Sequence, residues 1–173
     1  MRFIWILVRG MAMKVKKIIV GLIIVLFIGI IFWIKVNPPL QSGTIASNSE
    51  YTSVIVELGN KGFSDVQITK VYINNGETPR EVKMQMNHPD KGLVITDDFS
   101  SSEAATYNFV SLTEAKIAKR TIIDEMYEKQ DQKQVKEDDK IYGLTILNEQ
   151  PIYKVEIHYR YLGLAYETEI SLQ

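Results

Sequence analysis

One stretch near the start of the chain is apolar along its whole length. Seventeen consecutive residues, IIVGLIIVLFIGIIFWI at positions 18–34, carry no charged or polar side chain apart from the indole of Trp33. As an α-helix this run rises about 26 Å, and Val36 with the long side chain of Lys35 extends it to about 28 Å. A buried core helix that is apolar on every side belongs to a much larger protein. Residues 18–36 therefore predict a transmembrane helix.

Charge is distributed unevenly on the two sides of this run. Residues 1–17 contain five basic side chains and no acidic one, whereas from residue 37 onward 14 Lys and Arg stand against 21 Asp and Glu, a net charge of −7. Short basic flanks stay in the cytoplasm. We therefore expect a cytoplasmic N terminus at residues 1–17, a single pass through the cell membrane, and an extracytoplasmic C-terminal domain. Phosphate binding requires a basic surface, so nucleic acid is not expected as a partner.

The anchor is expected to be retained rather than cleaved. Signal peptides have a shorter apolar core, about 7–15 residues, with a small-residue cleavage site soon after it. Here the run is followed by Pro38 and Pro39, and the first small-residue candidate, Thr44–Ala46, lies well downstream. The chain has no cysteine, which excludes a lipid anchor on cysteine, disulfide bonds and cysteine–zinc sites.

Beyond the anchor, the sequence predicts a linker and one β-rich domain. Residues 37–50 are rich in Pro, Ser, Gly and Asn and are read as a linker, so the domain is expected at residues 51–173. Within it, apolar residues alternate with polar ones between turn signals, which is typical of strands. The candidate strands are residues 54–58, 65–73, 82–86, 92–96, 105–110, 141–147, 152–161 and 166–172. A one-residue slip of the alternation within 65–73 predicts a β-bulge.

The last two candidate strands predict a β-hairpin. If Gly163-Leu164 forms a type II′ turn, Tyr161 pairs with Tyr166, and His158 faces Glu169 on the polar side. Apolar side chains then face each other on one side of the hairpin and opposite charges on the other, an arrangement that stabilises paired strands.

Between the two β-rich halves, a helical pattern appears. Ser111–Glu114 fits a capping box, and apolar residues follow at helical spacing, so a helix is predicted over residues 112–129, with a strand over 119–123 as the alternative. Residues 130–140 are too polar to bury and predict a mobile loop. The expected fold class is mainly β: a transmembrane helix followed by an antiparallel immunoglobulin-like β-sandwich with one inserted helix.

The segment VIVELGNKGFSDVQITKVYINN, residues 54–75, resembles the strands of immunoglobulin-like domains in bacterial envelope proteins, where an Asn-x-Gly turn joins two alternating strands. Together with the basic and then apolar leader, the layout of the chain is similar to that of small single-pass envelope proteins of Gram-positive bacteria. The resemblance implies an extracytoplasmic domain. It supplies no functional residue.

Residues with catalytic or metal-binding chemistry are few. His158 is expected to form a structural cross-strand pair and His88 to lie in a loop, rather than to bind a metal. The acidic segments, Asp97 to Glu103 and Asp138-Asp139, lack the spacing of an EF-hand and are read as solvated loops rather than calcium sites.

Catalysis and cofactor binding are not expected. The many serines lack a G-x-S-x-G or S-x-x-K motif, and the glycines of residues 59–62 form no phosphate-binding loop. Gly21 and Gly29 form no GxxxG dimerisation motif. The leading hypothesis is a membrane-anchored binding or accessory module that contacts another envelope protein. The alternatives are a ligand- or ion-sensing domain, suggested by the acidic loops, and an envelope hydrolase.

Overall fold

The computed structural model describes the backbone of residues 2–172 and the side chains of residues 16–172. The chain divides into two compact units, Met1–Pro38 and Pro39–Gln173. The first contains helix α1, Arg2–Val36. Its segment Lys16–Val36 has a mean hydropathy of 2.9 and is not buried. This segment is long and apolar enough to cross a membrane, and it contains the span that hydropathy predicts.

The second unit is mainly β, as the alternating patterns predict. Its strands are β1 Leu40–Ser47, β2 Ser53–Asn60, β3 Gln67–Ile73, β4 Glu81–Asn87, β5 Phe109–Val110, β6 Ile141–Leu147, β7 Lys154–Tyr161 and β8 Leu164–Ser171. They form two antiparallel sheets, with strand orders β1-β2-β6-β4-β5 and β3-β7-β8. The one helix described in this unit, α2, spans Ile123–Asp131, and two short 3-10 turns cover Pro89–Lys91 and Ala104–Thr106. The expected antiparallel β-sandwich with an inserted helix is confirmed.

The core draws on one face of each sheet. Val56 and Leu144 are fully buried neighbours in the five-stranded sheet, and Val155 and Ile157 are fully buried in the three-stranded sheet. Removing these apolar side chains from water stabilises the fold by roughly 1.5–3 kcal/mol for each. Alternation places them on one face of their strands, since successive side chains point to opposite sides.

The five-stranded sheet is covered on its other face as well, so every residue of β2 and β6 is buried. Glycines allow this cover to come close to the backbone. A Cβ atom at Gly59 would lie 2.7 Å from Cγ1 of Ile123 on α2, and one at Gly143 would lie 3.0 Å from the side chain of Leu93. The covering segments lie between β4 and β6 in the chain. The alternation within β2 therefore does not separate a buried face from an exposed one.

The segment expected to be a linker is instead part of the sheet. Within residues 37–50, the strand β1 pairs with β2 from Leu40 opposite Asn60 to Ser47 opposite Val54. The linker prediction rested on the polar residues of this segment, and it is wrong. An edge strand has one open side, and most side chains of β1 are exposed or half-buried, so polar residues are tolerated there. The domain therefore begins near Pro39 rather than at residue 51.

The predicted helix over residues 112–129 is wrong in its extent. The helix α2 occupies only Ile123–Asp131, and the strand alternative over 119–123 does not form either. Ile117 instead exchanges two backbone hydrogen bonds with Val66, of 2.9 and 3.0 Å. Ala115 and Ile117 are buried, so tertiary packing and these long-range bonds override the helical spacing.

Of two short predicted strands, one does not form and the other is shorter than predicted. No strand forms over 92–96, because the side-chain amide of Gln85 takes the place of a partner strand. Its Oε1 accepts from Val94 N at 3.0 Å, and its Nε2 donates to Val94 O at 2.6 Å. Of the candidate 105–110, only Phe109–Val110 pairs with β4.

The C-terminal hairpin forms, with its register two residues away from the prediction. Tyr159 pairs with Tyr166 and His158 with Glu167. The turn residues are Leu162 and Gly163, both with positive φ, at 51° and 78°. This is the requirement of a type I′ turn rather than the expected type II′. A shift by an even number of residues keeps every side chain on its predicted face, because side chains alternate with a period of two.

The predicted bulge is confirmed, since the register of β3 against β7 shifts between Ile68 and Lys70. The turn over residues 59–62 does not close a hairpin, however. It leads from β2 in one sheet to β3 in the other. The two strands that the Asn-x-Gly turn joins therefore lie in different sheets and do not pair with each other.

Candidate binding site at the sheet edges

One edge strand of each sheet borders the same groove. Strand β1 ends the five-stranded sheet and β8 ends the three-stranded sheet. Between them lies a groove of about 360 Å³, called here the edge groove. It is lined by Ile45, Ala46, Ser47, Tyr51, Ser171 and Leu172.

The turn that follows β1 is fixed by local hydrogen bonds. The side-chain oxygen of Asn48 accepts from the backbone N–H groups of Thr52 and Ser53, at 2.9 and 3.2 Å. Asn and Asp side chains commonly stabilise turns in this way. Tyr51 adopts a positive φ of 58° in this turn, and its carbonyl accepts from Ile152 N at 2.8 Å. The backbone that carries Tyr51 to the groove is thus held at several points.

Large side chains at and beside the edge groove are exposed to solvent. Tyr51 is 47% exposed and Ile45 is 38% exposed. Nearby, Tyr153 is 53% exposed, and its carbonyl accepts a hydrogen bond of 2.9 Å from Leu172 N. Tyrosine offers a large contact area with a polar tip and is enriched at protein interfaces.

The part of β1 that borders the groove is regular. A register shift falls between Ser42 and Ile45, and beyond it Ile45, Ala46 and Ser47 pair consecutively with β2. The outer side of an edge strand presents backbone N–H and C=O groups that no neighbouring strand uses. Such an edge can accept an additional strand from a partner, with main-chain bonds supplying affinity and side-chain pockets supplying specificity.

Behind the bulge of β1 lies a buried carboxylate that the sequence did not reveal. Glu57 is 6% exposed. Its Oε2 accepts hydrogen bonds from Tyr127 Oη at 2.5 Å and from Thr44 N at 3.1 Å. Gly43 leaves the space for it, since a Cβ there would lie 2.6 Å from the same oxygen. Burial, followed by the hydrogen bond to Glu57, raises the pKa of Tyr127 above its ordinary value.

The sequence does not predict that Glu57 is buried, because a glutamate between apolar residues of a strand usually faces solvent. Tyr127 of α2 and the backbone of β1 at Gly43 and Thr44 both lie against its carboxylate. The hydrogen bonds from Tyr127 and Thr44 satisfy the buried Oε2 of Glu57, since a buried polar group requires hydrogen-bonding partners.

The two histidines have different surroundings. His158 lies on the outer face of the three-stranded sheet, with its Nε2 2.5 Å from Oε1 of Glu156 and with Glu167, not the expected Glu169, as its cross-strand partner. The two-residue error in register accounts for the wrong partner. His88 precedes a 3-10 turn, as a loop residue, and its Nδ1 accepts from Asp90 N at 3.3 Å.

The acidic loops use their oxygens for local hydrogen bonds. Asp98 accepts from the N–H and the hydroxyl of Ser100, and these bonds lower the pKa of its carboxyl. Asp139 accepts from Lys136 N and from Lys129 Nζ, each at 2.9 Å. The backbone bond and the lysine charges lower the pKa of the Asp139 carboxyl. Asp98 therefore stabilises its own turn, and Asp139 also connects its turn to Lys129 of α2.

Comparison with known proteins gives no relative. No protein-family model matches the chain, and neither a curated protein nor a solved structure matches it.

Proposed function

We propose that the protein is a membrane-anchored binding module of the cell envelope, which takes up an extended segment of another envelope protein along the open edge of β1. The observation that carries this proposal is the regular edge of Ile45–Ser47 beside the edge groove. The added segment would bond to the backbone of β1 and place alternate side chains against Ile45, Tyr51 and Leu172.

The anchor supports the membrane part of this proposal. The apolar segment Lys16–Val36 follows a basic N-terminal stretch without acidic residues and precedes a strongly acidic domain. Basic residues beside a transmembrane helix remain on the cytoplasmic side. The second unit then lies outside the cytoplasm. Its net charge of −7 from residue 37 onward favours a partner segment with basic residues.

The strand order supports an immunoglobulin-like domain. In constant-type immunoglobulin domains one sheet contains the first, second, fifth and fourth strands, and the other contains the third, sixth and seventh. With the two-residue strand β5 set aside, the orders here are β1-β2-β6-β4 and β3-β7-β8, which correspond strand for strand. The segment with α2 is then an insertion between the fourth and fifth strands. Immunoglobulin-like domains serve many functions, so the order supports the fold and not a particular partner.

Site-specific photocrosslinking tests the partner contact in intact cells. A photoreactive amino acid replaces Tyr51 in the full chain, and the matched control carries it at Phe63, which is 58% exposed. Phe63 contacts Tyr161 at the end of β7, whereas the groove lies near the start of that strand. The proposal expects a crosslink from position 51 to one extended segment of a partner, identified by peptide sequencing, and none from position 63. Equal crosslinking at both positions, or none at either, would contradict it.

The orientation is tested separately. A tag after Gln173 is expected to react with an impermeant reagent on whole cells, because the second unit lies outside the cytoplasm. A tag before Met1 is expected to react only after the membrane is opened. The reverse pattern would overturn the proposed topology.

A further inference from the structure

Three side chains with metal-binding chemistry meet on the outer face of the three-stranded sheet. Glu156 and His158 are two residues apart in β7 and so point to the same side. Glu167 of β8 pairs directly with His158. One ligand atom from each of the three lies within 4.8 Å of the other two. The sheet register therefore brings together one imidazole and two carboxylates.

The histidine ring is oriented by its neighbours. Tyr72 of β3 contacts it edge to face, with ring centroids 5.3 Å apart. The Nε2 of His158 lies 2.5 Å from Oε1 of Glu156. Both side chains are partly buried, at 32% and 22% exposed, whereas Glu167 is exposed and can adjust its side chain. The backbone positions are fixed by hydrogen-bonded strands, so little ordering is required to bring the three groups together.

We propose that Glu156, His158 and Glu167 bind a divalent transition metal ion, with Zn²⁺ as the best match. Zinc accepts imidazole nitrogen and carboxylate oxygen at about 2.0–2.2 Å, and three protein ligands leave a fourth position for water or a further ligand. Tetrahedral ligands at these bond lengths are separated by roughly 3.5 Å from each other. The three ligand atoms lie within 4.8 Å of one another, and the Nε2 of His158 and the Oε1 of Glu156 are 2.5 Å apart. Small rotations of the glutamate side chains would bring the ligands into place.

The donor set favours zinc over calcium or magnesium. The latter ions prefer oxygen ligands throughout, whereas imidazole suits zinc, copper and nickel. The next carboxylate along β8, Glu169, is engaged with Lys154 at 3.0 Å. Lys70, the partner of His158 on β3, is exposed, so solvent screens its charge. Glu169 is the cross-strand partner of Glu156, and its ion pair with Lys154 distinguishes it from the three proposed ligands.

This site differs from the edge groove in its residues and does not depend on the proposed partner contact. It is tested by isothermal titration of Zn²⁺ into the purified full chain in detergent micelles, without a polyhistidine tag. We expect one equivalent to bind. His158→Ala and Glu167→Gln are each expected to weaken binding at least about tenfold, or about 1.4 kcal/mol. Substitution of Co²⁺ is expected to give visible absorption bands that the two variants lose.

Two control variants make the assignment specific. His88→Ala removes the other histidine, and Glu169→Gln removes the neighbouring carboxylate on the same face. Both are expected to bind Zn²⁺ as the unaltered chain does. If His158→Ala disturbs folding, seen as a changed circular dichroism spectrum, the exposed Glu167→Gln variant decides. Absence of zinc binding, unchanged binding in Glu167→Gln, or loss of binding in His88→Ala would overturn the proposal.

Discussion

The hydroxyl of Tyr127, on α2, donates a hydrogen bond of 2.5 Å to Oε2 of Glu57, which lies buried in β2. Thr44 adds its backbone N–H to the same oxygen and brings its hydroxyl 3.1 Å from that of Tyr127. This network connects α2 with the first two strands. It also lies directly behind the bulge of β1, so it supports the edge strand on which the proposed partner contact depends.

Replacement of Tyr127 by Phe is therefore expected to lower the stability of the folded domain. The buried carboxylate of Glu57 loses a hydrogen-bond donor while the ring remains, so the free energy of unfolding is expected to fall by about 1–3 kcal/mol. Urea unfolding of the full chain in micelles, followed by circular dichroism, measures it. Tyr153→Phe removes the hydroxyl of a tyrosine that is 53% exposed and serves as control, with a change within about 0.5 kcal/mol. Equal effects of the two changes would argue against the role of the network.

A substitution in the turn of the last hairpin is expected to stabilise the domain. Leu162 has a φ of 51° and is 43% exposed. Asn tolerates this conformation far better than Leu, and Asn-Gly is the preferred pair in type I′ turns. Leu162→Asn is expected to raise the free energy of unfolding by about 0.5–1 kcal/mol. Gly163→Ala, at a φ of 78°, is expected to lower it in the same unfolding assay. Destabilisation by Leu162→Asn would show that the leucine side chain contributes more than the backbone strain costs.

Alkaline pH is expected to destabilise the domain partly through Tyr159. Burial, with a smaller contribution from Tyr166, raises the pKa of the Tyr159 hydroxyl to about 12. In the unfolded chain a tyrosine titrates near about 10. The folded state therefore holds its proton more tightly, and the stability this provides is present below about pH 10 and lost as the pH rises to about 12.

The Tyr159→Phe variant isolates this effect. Between about pH 9 and 12 the unaltered chain is expected to lose roughly 2–3 kcal/mol more stability than the variant. Comparing the two pH profiles removes the contribution of the other titrating groups. Parallel profiles would mean that Tyr159 ionises as easily in the folded state as in the unfolded one.

The apolar segment of α1 is expected to lose its proposed membrane association when charge is placed at its centre. Ile24 and Ile28 lie on one side of α1, one turn apart, and changing both to Lys costs about 2.5–3.5 kcal/mol for each in membrane insertion. The protein is then expected to leave the membrane fraction after cell breakage. The matched change of both residues to Leu is expected to leave it there. Retention of the lysine variant would contradict a transmembrane role for this segment.

The features predicted correctly from the sequence are those carried by contiguous residues. The apolar run defined a helix, and the alternation in residues 152–161 defined β7 and its faces. The bulge in β3 followed from a slip visible within a single strand. Hydropathy and periodicity act over neighbouring residues, so these features needed no knowledge of the remaining chain.

The candidate sites could not be obtained in the same way. The edge groove requires β1, which composition assigned to a linker, to stand beside the end of β8. The proposed metal ligands come together only in the actual register, because the predicted register placed Glu169 rather than Glu167 opposite His158. The turn lies at Leu162-Gly163, one residue before the predicted position, and this displacement shifts the pairing by two residues and changes the partner of the histidine.

By itself, the sequence determined an apolar N-terminal helix followed by an acidic, mainly β domain, because burial and solvation of a side chain depend first on its own chemistry. The tertiary structure decided which strands pair and where α2 begins. It also decided that Glu57 is buried. Gln85 bonding to Val94 and Ile117 bonding to Val66 show the reason: backbone groups are satisfied by partners distant in the chain, and local preference yields to them.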